Sequence, residues 1–230
     1  MRRKLLASLF GILFFILGQA QVDTVYLEKF DPPSGPDSVT TYNVNPLLTS
    51  AWNDTTNLSV SPTASYHTKV VPFDSVIFET SSFSTLTNVF VRLKFNQICK
   101  IHFGQRGYIQ ASNDGGTTWT TVTGSMYQGP SPQFSATGYF NELSYPSPTQ
   151  PIYWHGPTLT AGSIVAPTNN WWSEETFDVS SILGGVNGYA NCKVRFIVVH
   201  QINTTINLSG WYVDNLLVEA APCELEPPTL

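Results

Sequence analysis

The chain has 230 residues, of which 42% are hydrophobic, 13% aromatic and only 12% charged. Eleven Lys and Arg stand against sixteen Asp and Glu, a formal charge of −5 at pH 7. That balance excludes a basic nucleic-acid surface and a polybasic membrane patch, and a chain of this length accommodates one large domain.

The N-terminus reads MRRKLLASLFGILFFILGQAQ. Arg2, Arg3 and Lys4 precede a nearly unbroken apolar run from Leu5 to Leu17, followed by Gly18, Gln19 and Ala20. This pattern predicts a secretory signal peptide over 1–20, cleaved after Ala20. A membrane anchor is the alternative, but the run is short of the ~20 residues a spanning helix needs. Cleavage removes three of the eleven basic residues and no acids, leaving 8 against 16 and a charge of −8. No later stretch is apolar enough to span, so the sequence predicts a secreted or cell-surface protein without membrane insertion.

The remainder reads as strands. DTVYLEKF comes first, near the mature N-terminus. In NVFVRLKF, Val89, Val91, Leu93 and Phe95 alternate with Phe90, Arg92, Lys94 and Asn96. YIQAS (Tyr108–Ser112) and WTTVT (Trp119–Thr123) follow, then CKVRFIVV and GWYVDNLLVEA. Period-2 alternation puts Cys192, Val194, Phe196 and Val198 on one face and Lys193, Arg195, Ile197 and Val199 on the other. Many strands without helices between them predict an all-β fold, a two-sheet sandwich or a barrel. The domain is expected over 21–220. A long insert occupies about 124–168, and 221–230 reads as a linker or loose tail carrying Cys223.

Between YIQAS and WTTVT lies SNDGGTTW. Gly115 and Gly116 suit positive φ, Asp114 suits an Asx-type turn, and Trp119 reads as a plug beneath it. Ser112, Asp114, Gly116, Thr118 and Trp119 resemble the Asp box, a turn motif of sialidase propellers and reelin-type repeats. That resemblance implies a structural role away from catalysis. One box and three arginines beyond residue 20 do not make a sialidase propeller. Asp114 also lacks the companion acids of an EF-hand loop.

The order of LEKF, VFVRLKF, the box, FDVSS, VRF and WYVDN is similar to the jelly-roll modules of secreted Bacteroidota proteins, akin to MAM domains and reelin subrepeats. It implies a two-sheet antiparallel β-sandwich of jelly-roll type over about Val22 to Ala220. It further implies that the first and last strands lie side by side. Glu28 and Asp214 would then help hold one structural Ca2+, with backbone carbonyls and Asn215 completing the six to eight oxygens calcium prefers. The alternative is that Asp214 caps a turn or bonds backbone amides and Glu28 is solvated. Asp23, Asp37, Asp54 and Asp74 begin triplets that resemble the O-glycosylation sites of those proteins, at Thr24, Ser38, Thr55 and Ser75.

The insert is rich in Pro, Gly, Ser and aromatics. Tyr127, Tyr153, Trp154 and Trp171 are candidates for a sugar-stacking platform, with Phe140 and Tyr145 beside them. The alternative is that they cover an edge of the sandwich. Cys99 and Cys192 share core parity and are expected either as a disulfide or as two buried thiols. The catalytic search is negative. His67, His102, His155 and His200 lack zinc-motif spacing, and no nucleophile elbow occurs. Adjacent Glu174 and Glu175 point to opposite faces of a strand. The expected function is an exported, non-catalytic binding or adhesion module whose partner is a glycan or a cell-surface protein. A structural spacer and an accessory domain of a secreted hydrolase are the rivals.

Overall fold

The computed structural model describes residues 21–31, 39–145, 154, 164–203 and 208–222. The expected signal peptide, Ser38, Tyr153, His155, Cys223 and most of the tail lie outside them. The strands in chain order are β1 (Asp23–Glu28), β2 (Val39–Asn43), β3 (Trp52–Thr55), β4 (Ser65–Thr68), β5 (Ser75–Thr80), β6 (Phe90–Lys100), β7 (Gln105–Ser112) and β8 (Thr120–Thr121). After helix α1 (Pro132–Thr137) come β9 (Ser173–Asp178), helix α2 (Ser180–Leu183), β10 (Lys193–His200) and β11 (Gly210–Ala221). Among the described residues no helix is long and apolar enough to cross a membrane.

The strands form two antiparallel sheets. One has the order β3-β4-β11-β6-β9, with β1 also on β11, and the other β2-β5-β10-β7-β8. From β4 onward successive strands distribute into two four-stranded halves, β4-β11-β6-β9 and β5-β10-β7-β8, the jelly-roll arrangement. The alternation read from the sequence holds. Val91, Leu93 and Phe95 of β6 and Val194, Phe196 and Val198 of β10 are buried between the sheets. Aromatic rings fill the layer: Phe78 stacks on Phe196 at 4.6 Å, and Phe95 meets Phe196 edge-on at 4.9 Å.

β1 and β4 share one edge of β11. β4 pairs with Trp211–Val213 and β1 with Leu216–Ala220. Between them the register breaks, and Asn215 takes φ 49°, a conformation Asn tolerates better than most residues. The predicted adjacency of first and last strands is therefore present.

The insert closes the side of the sandwich between β7 and β9. Phe140 exchanges backbone hydrogen bonds with Gly107 of β7, while Gln128 N–H donates to Thr176 of β9. Ser131 caps α1 by accepting from Phe134 N–H, Pro132 starts the helix, and Gly138 ends it in the left-handed region, the usual stop and start chemistry. Phe134, Phe140, Tyr145 and Trp154 are all buried.

Candidate functional site

The outer face of the five-stranded sheet carries the densest arrangement of solvent-facing aromatic and polar groups. Strand register sets Thr40, Glu79, Arg195, Gln110 and Thr121 side by side across all five strands. The next row holds Tyr42, Ile77, Ile197 and Tyr108. The tyrosines are three inter-strand steps apart, ~14 Å at ~4.8 Å per step, with an isoleucine floor between them.

The polar row is locked by its own members. Lys193 Nζ lies 2.6 Å from Glu79 Oε1, and Tyr42 OH donates to Glu79 Oε2 at 3.2 Å. Arg195 Nε donates to Gln110 Oε1 at 2.8 Å, which leaves Gln110 Nε2 to donate to Thr121 Oγ1 at 3.0 Å. Arg195 also lies over the Trp119 ring, 4.1 Å from its centroid, a cation–π contact. Arg106 covers Tyr139 and donates to Tyr108 OH. Burial, then the nearby Glu79 charge, raises the Tyr42 phenol above its ordinary value, so it stays a neutral donor. The arrangement can stack a ring on either tyrosine and offer fixed donors and acceptors above the floor. The sequence signal for it was Ile197 and Val199 on the solvent parity of β10.

The SNDGGTTW turn borders this face. Asp114 Oδ1 accepts from Ser112 Oγ at 2.7 Å and Thr118 N–H at 2.9 Å, and Oδ2 from Thr118 Oγ1 at 2.6 Å. Those donors, the Thr118 hydroxyl foremost, hold its carboxyl down to about 2. Gly115 and Gly116 take φ 76° and 94°. Trp119 corrects the expectation of a buried plug. Its Nε1–H bonds Gly116 O at 3.0 Å, and its half-buried ring faces Arg195 on the outer sheet surface.

The described members of the insert's candidate platform, Tyr127, Trp154 and Trp171, do not form an exposed aromatic surface. Trp154 is fully buried, donating Nε1–H to Trp171 O at 2.9 Å and packing edge-on against Tyr145. Tyr127 and Trp171 are half-buried against the core. These aromatics cover the sandwich edge because their area is worth more buried than exposed. Beneath them Glu175 is buried and takes hydrogen bonds from Gln97 Nε2 at 2.9 Å and from the hydroxyls of Tyr145 and Tyr127, each at 2.5 Å. Burial raises its carboxyl above the ordinary value despite those donors. Glu174, its neighbour, is exposed as the strand parity requires. This network fastens the insert to β9 and was not legible in sequence, since it depends on how the insert packs.

Cys99 and Cys192 are free, buried thiols, which corrects the disulfide alternative. Cys192 Sγ sits 3.4 Å from Thr85 Oγ1, beside α2 at the end of the sandwich where Val91 begins the core. Cys99 lies eight residues beyond Val91 along β6, roughly 26 Å at ~3.3 Å per residue. Parity was right, but axial position separates the pair.

Glu28 and Asp214 do not fit calcium. Glu28 pairs with Leu216 in register, close to Asp214. Yet Asp214 Oδ1 accepts from Ser61 Oγ at 2.9 Å and Asn215 N–H at 2.7 Å, and Oδ2 from Val60 N–H at 2.7 Å and Ser61 N–H at 3.0 Å. These donors fill the carboxylate's acceptor positions and present hydrogens where a cation would sit. Glu28 Oε1 accepts from Phe30 N–H at 2.7 Å. Among the described residues no three His, Cys, Asp or Glu side chains group closely enough to hold a metal. Burial raises both carboxyls. Of the glycosylation candidates, Thr24 is exposed and Thr55 and Ser75 are half-buried.

No family model matches the chain, and no curated protein matches it. Solved structures with related layering include the xylan-binding CBM22-2 domain of Paenibacillus barcinonensis Xyn10C, at 9% identity and TM-score 0.42, covering 85% of this chain and 98% of that one. The mannan-recognising module TmCBM27 is 9% identical with TM-score 0.38, covering 87% and 99%. The enzymatically active domain of bacteriophage CBA120 tailspike protein 4 is 10% identical with TM-score 0.42, and the match covers 80% of this chain but only 19% of that one.

Proposed function

We propose that the chain is an exported, non-catalytic module that binds a glycan on the outer face of its five-stranded sheet. The observation that supports this reading is the pre-locked row Glu79–Arg195–Gln110–Thr121 above the Tyr42–Ile77–Ile197–Tyr108 floor. Sugars present apolar ring faces and equatorial hydroxyls together. A site that stacks on aromatics while fixing donors and acceptors matches both, and side chains already held by one another lose little entropy on binding. The ~14 Å between the tyrosines suits a short oligosaccharide rather than one ring. Export rests on the signal-like N-terminus, and Thr24 is the exposed O-glycosylation candidate among the described ones. Membership in a jelly-roll group akin to MAM domains and reelin subrepeats belongs to the same proposal.

Affinity electrophoresis through a panel of soluble polysaccharides tests it. Wild type should be retarded by at least one polymer, and Tyr42→Ala and Tyr108→Ala should each reduce the retardation without lowering the melting temperature. Migration of wild type unaffected by every polymer would favour the spacer reading.

A further inference from the structure

A second feature lies at the end of the sandwich. The loop at Lys69–Pro72, the ends of β6 and β10 and the starts of β7 and β11 enclose a cavity of about 340 Å3. That volume falls at the low end of small-molecule pockets, which span ~300–1000 Å3. Val70, Val71, Ile101 and Leu208 give it apolar walls, while Lys69 and Lys100 are its charged members, and among the described residues no carboxylate lines it.

Two buried polar groups with unused hydrogen-bonding capacity belong to this lining. The Lys100 side chain is fully buried, with Nζ 3.2 Å from Glu142 Oε2. An ammonium has three donor hydrogens, and Glu142 is its one hydrogen-bond partner among the described residues. Glu142 is itself held by accepting from Phe103 N–H at 3.0 Å. The second such group is His200, only 2% exposed. Gln105 Oε1 accepts from His102 N–H at 2.9 Å, which turns its amide nitrogen toward His200 Nδ1 at 2.8 Å. Nδ1 also lies 3.0 Å from Val70 O, which can only accept, so its two neighbours favour opposite tautomers; an anion at Nε2 would select the tautomer with the ring proton there. That nitrogen is buried and has no partner among the described residues. Buried polar groups are almost always matched by a partner, and here both adjoin a cavity with cationic and apolar lining.

We propose that this cavity binds a small carboxylate, its oxygens on Lys100 Nζ and His200 Nε2 and its body against Val70, Val71 and Leu208. The shared chemistry admits an aliphatic acid or a uronic acid. Charge-assisted hydrogen bonds are the strong ones, and the apolar surround excludes competing water. The site is independent of the outer sheet face.

The test is an NMR titration of the isotope-labelled chain with propionate and glucuronate, against their neutral counterparts propanol and glucose. Amides of Val71, Ile101 and Leu208 should shift with at least one acid at millimolar concentration and not with the neutral pair. Which acid binds more tightly identifies the ligand body. Val71→Trp, at a 39% exposed position on the rim, should abolish the shifts while the melt is retained. The double variant Lys100→Gln/Glu142→Gln removes both members of the buried pair together and should bind ~10- to 100-fold more weakly, as expected for lost hydrogen bonds to charged groups. Tyr42→Ala should leave the titration unchanged, which separates this site from the glycan face. Equal shifts with the neutral compounds, no response to either acid, or unaltered binding by Val71→Trp would each overturn the proposal.

Discussion

Replacing Asp214 with Ala should unfasten the break in β11. The carboxylate accepts four hydrogen bonds, from Val60, Ser61 twice and Asn215. Not all are lost equally. Val60 is 45% exposed, so water can replace its acceptor. The Ser61 hydroxyl also donates toward Lys29 O and Ala64 O. That leaves the amides of Ser61 and Asn215 in surroundings where an unmade hydrogen bond costs ~1–3 kcal/mol each, or ~2–6 kcal/mol for the pair. At ~2–4 °C per kcal/mol for a domain of this size, the melting temperature should fall by roughly 4–24 °C. Asp214→Asn keeps one acceptor oxygen and should fall by about half as much. Calorimetry or circular-dichroism melts measure both, with chelator and with millimolar calcium. Because amide hydrogens already fill the carboxylate, calcium should not move the wild-type midpoint. A wild-type midpoint that rises with calcium, with the rise lost in Asp214→Ala, would refute the reasoning and restore the metal.

Trp119→Ala should cost ~1–2 kcal/mol, the loss of a half-buried cation–π partner, rather than the ~3–5 kcal/mol of a fully buried aromatic; thermal melts distinguish the two. Cys99 and Cys192 should resist alkylation in the native chain and react only on denaturation, read by mass spectrometry, and reducing agent should leave the melt unchanged. Burial raises the Glu175 carboxyl above its ordinary 4.5, so its contribution is complete below that value and is lost as pH rises through the higher folded value. Melts of wild type should therefore decline upward across that window, and Glu175→Gln should flatten the decline. Asp114 has the opposite sign: its carboxyl is held at about 2, so its contribution is present above its ordinary value and is lost as pH falls toward 2.

The long central strands were legible because one face of each is buried and the other is not. β6 and β10 alternate cleanly, and the turn chemistry of SNDGGTTW is complete within eight residues of sequence. β2, β3, β4, β5 and β9 were missed. The first three are four or five residues long, and Ser65, Tyr66 and Thr68 of β4 are all buried, which erases any period. The candidate face was illegible for a different reason. Thr40, Glu79, Gln110 and Arg195 become neighbours only through register, which no local pattern encodes. The reading of Asp214 as a ligand failed because the backbone amides that consume its oxygens come from Val60 and Ser61, more than 150 residues away. The insert's aromatics suggested a platform by composition, whereas burial area decided their fate.

The most direct test of a glycan-binding sheet face is an amide chemical-shift map recorded with an oligosaccharide of the polymer that most retards the chain. The account predicts that the largest shifts fall on Tyr42, Ile77, Tyr108, Gln110 and Arg195, and that they vanish in a Tyr42→Ala/Tyr108→Ala double variant whose melt is unchanged. Shifts concentrated on the opposite sheet, around Arg92 and Lys94 of β6, or a double variant that binds as wild type does, would contradict it.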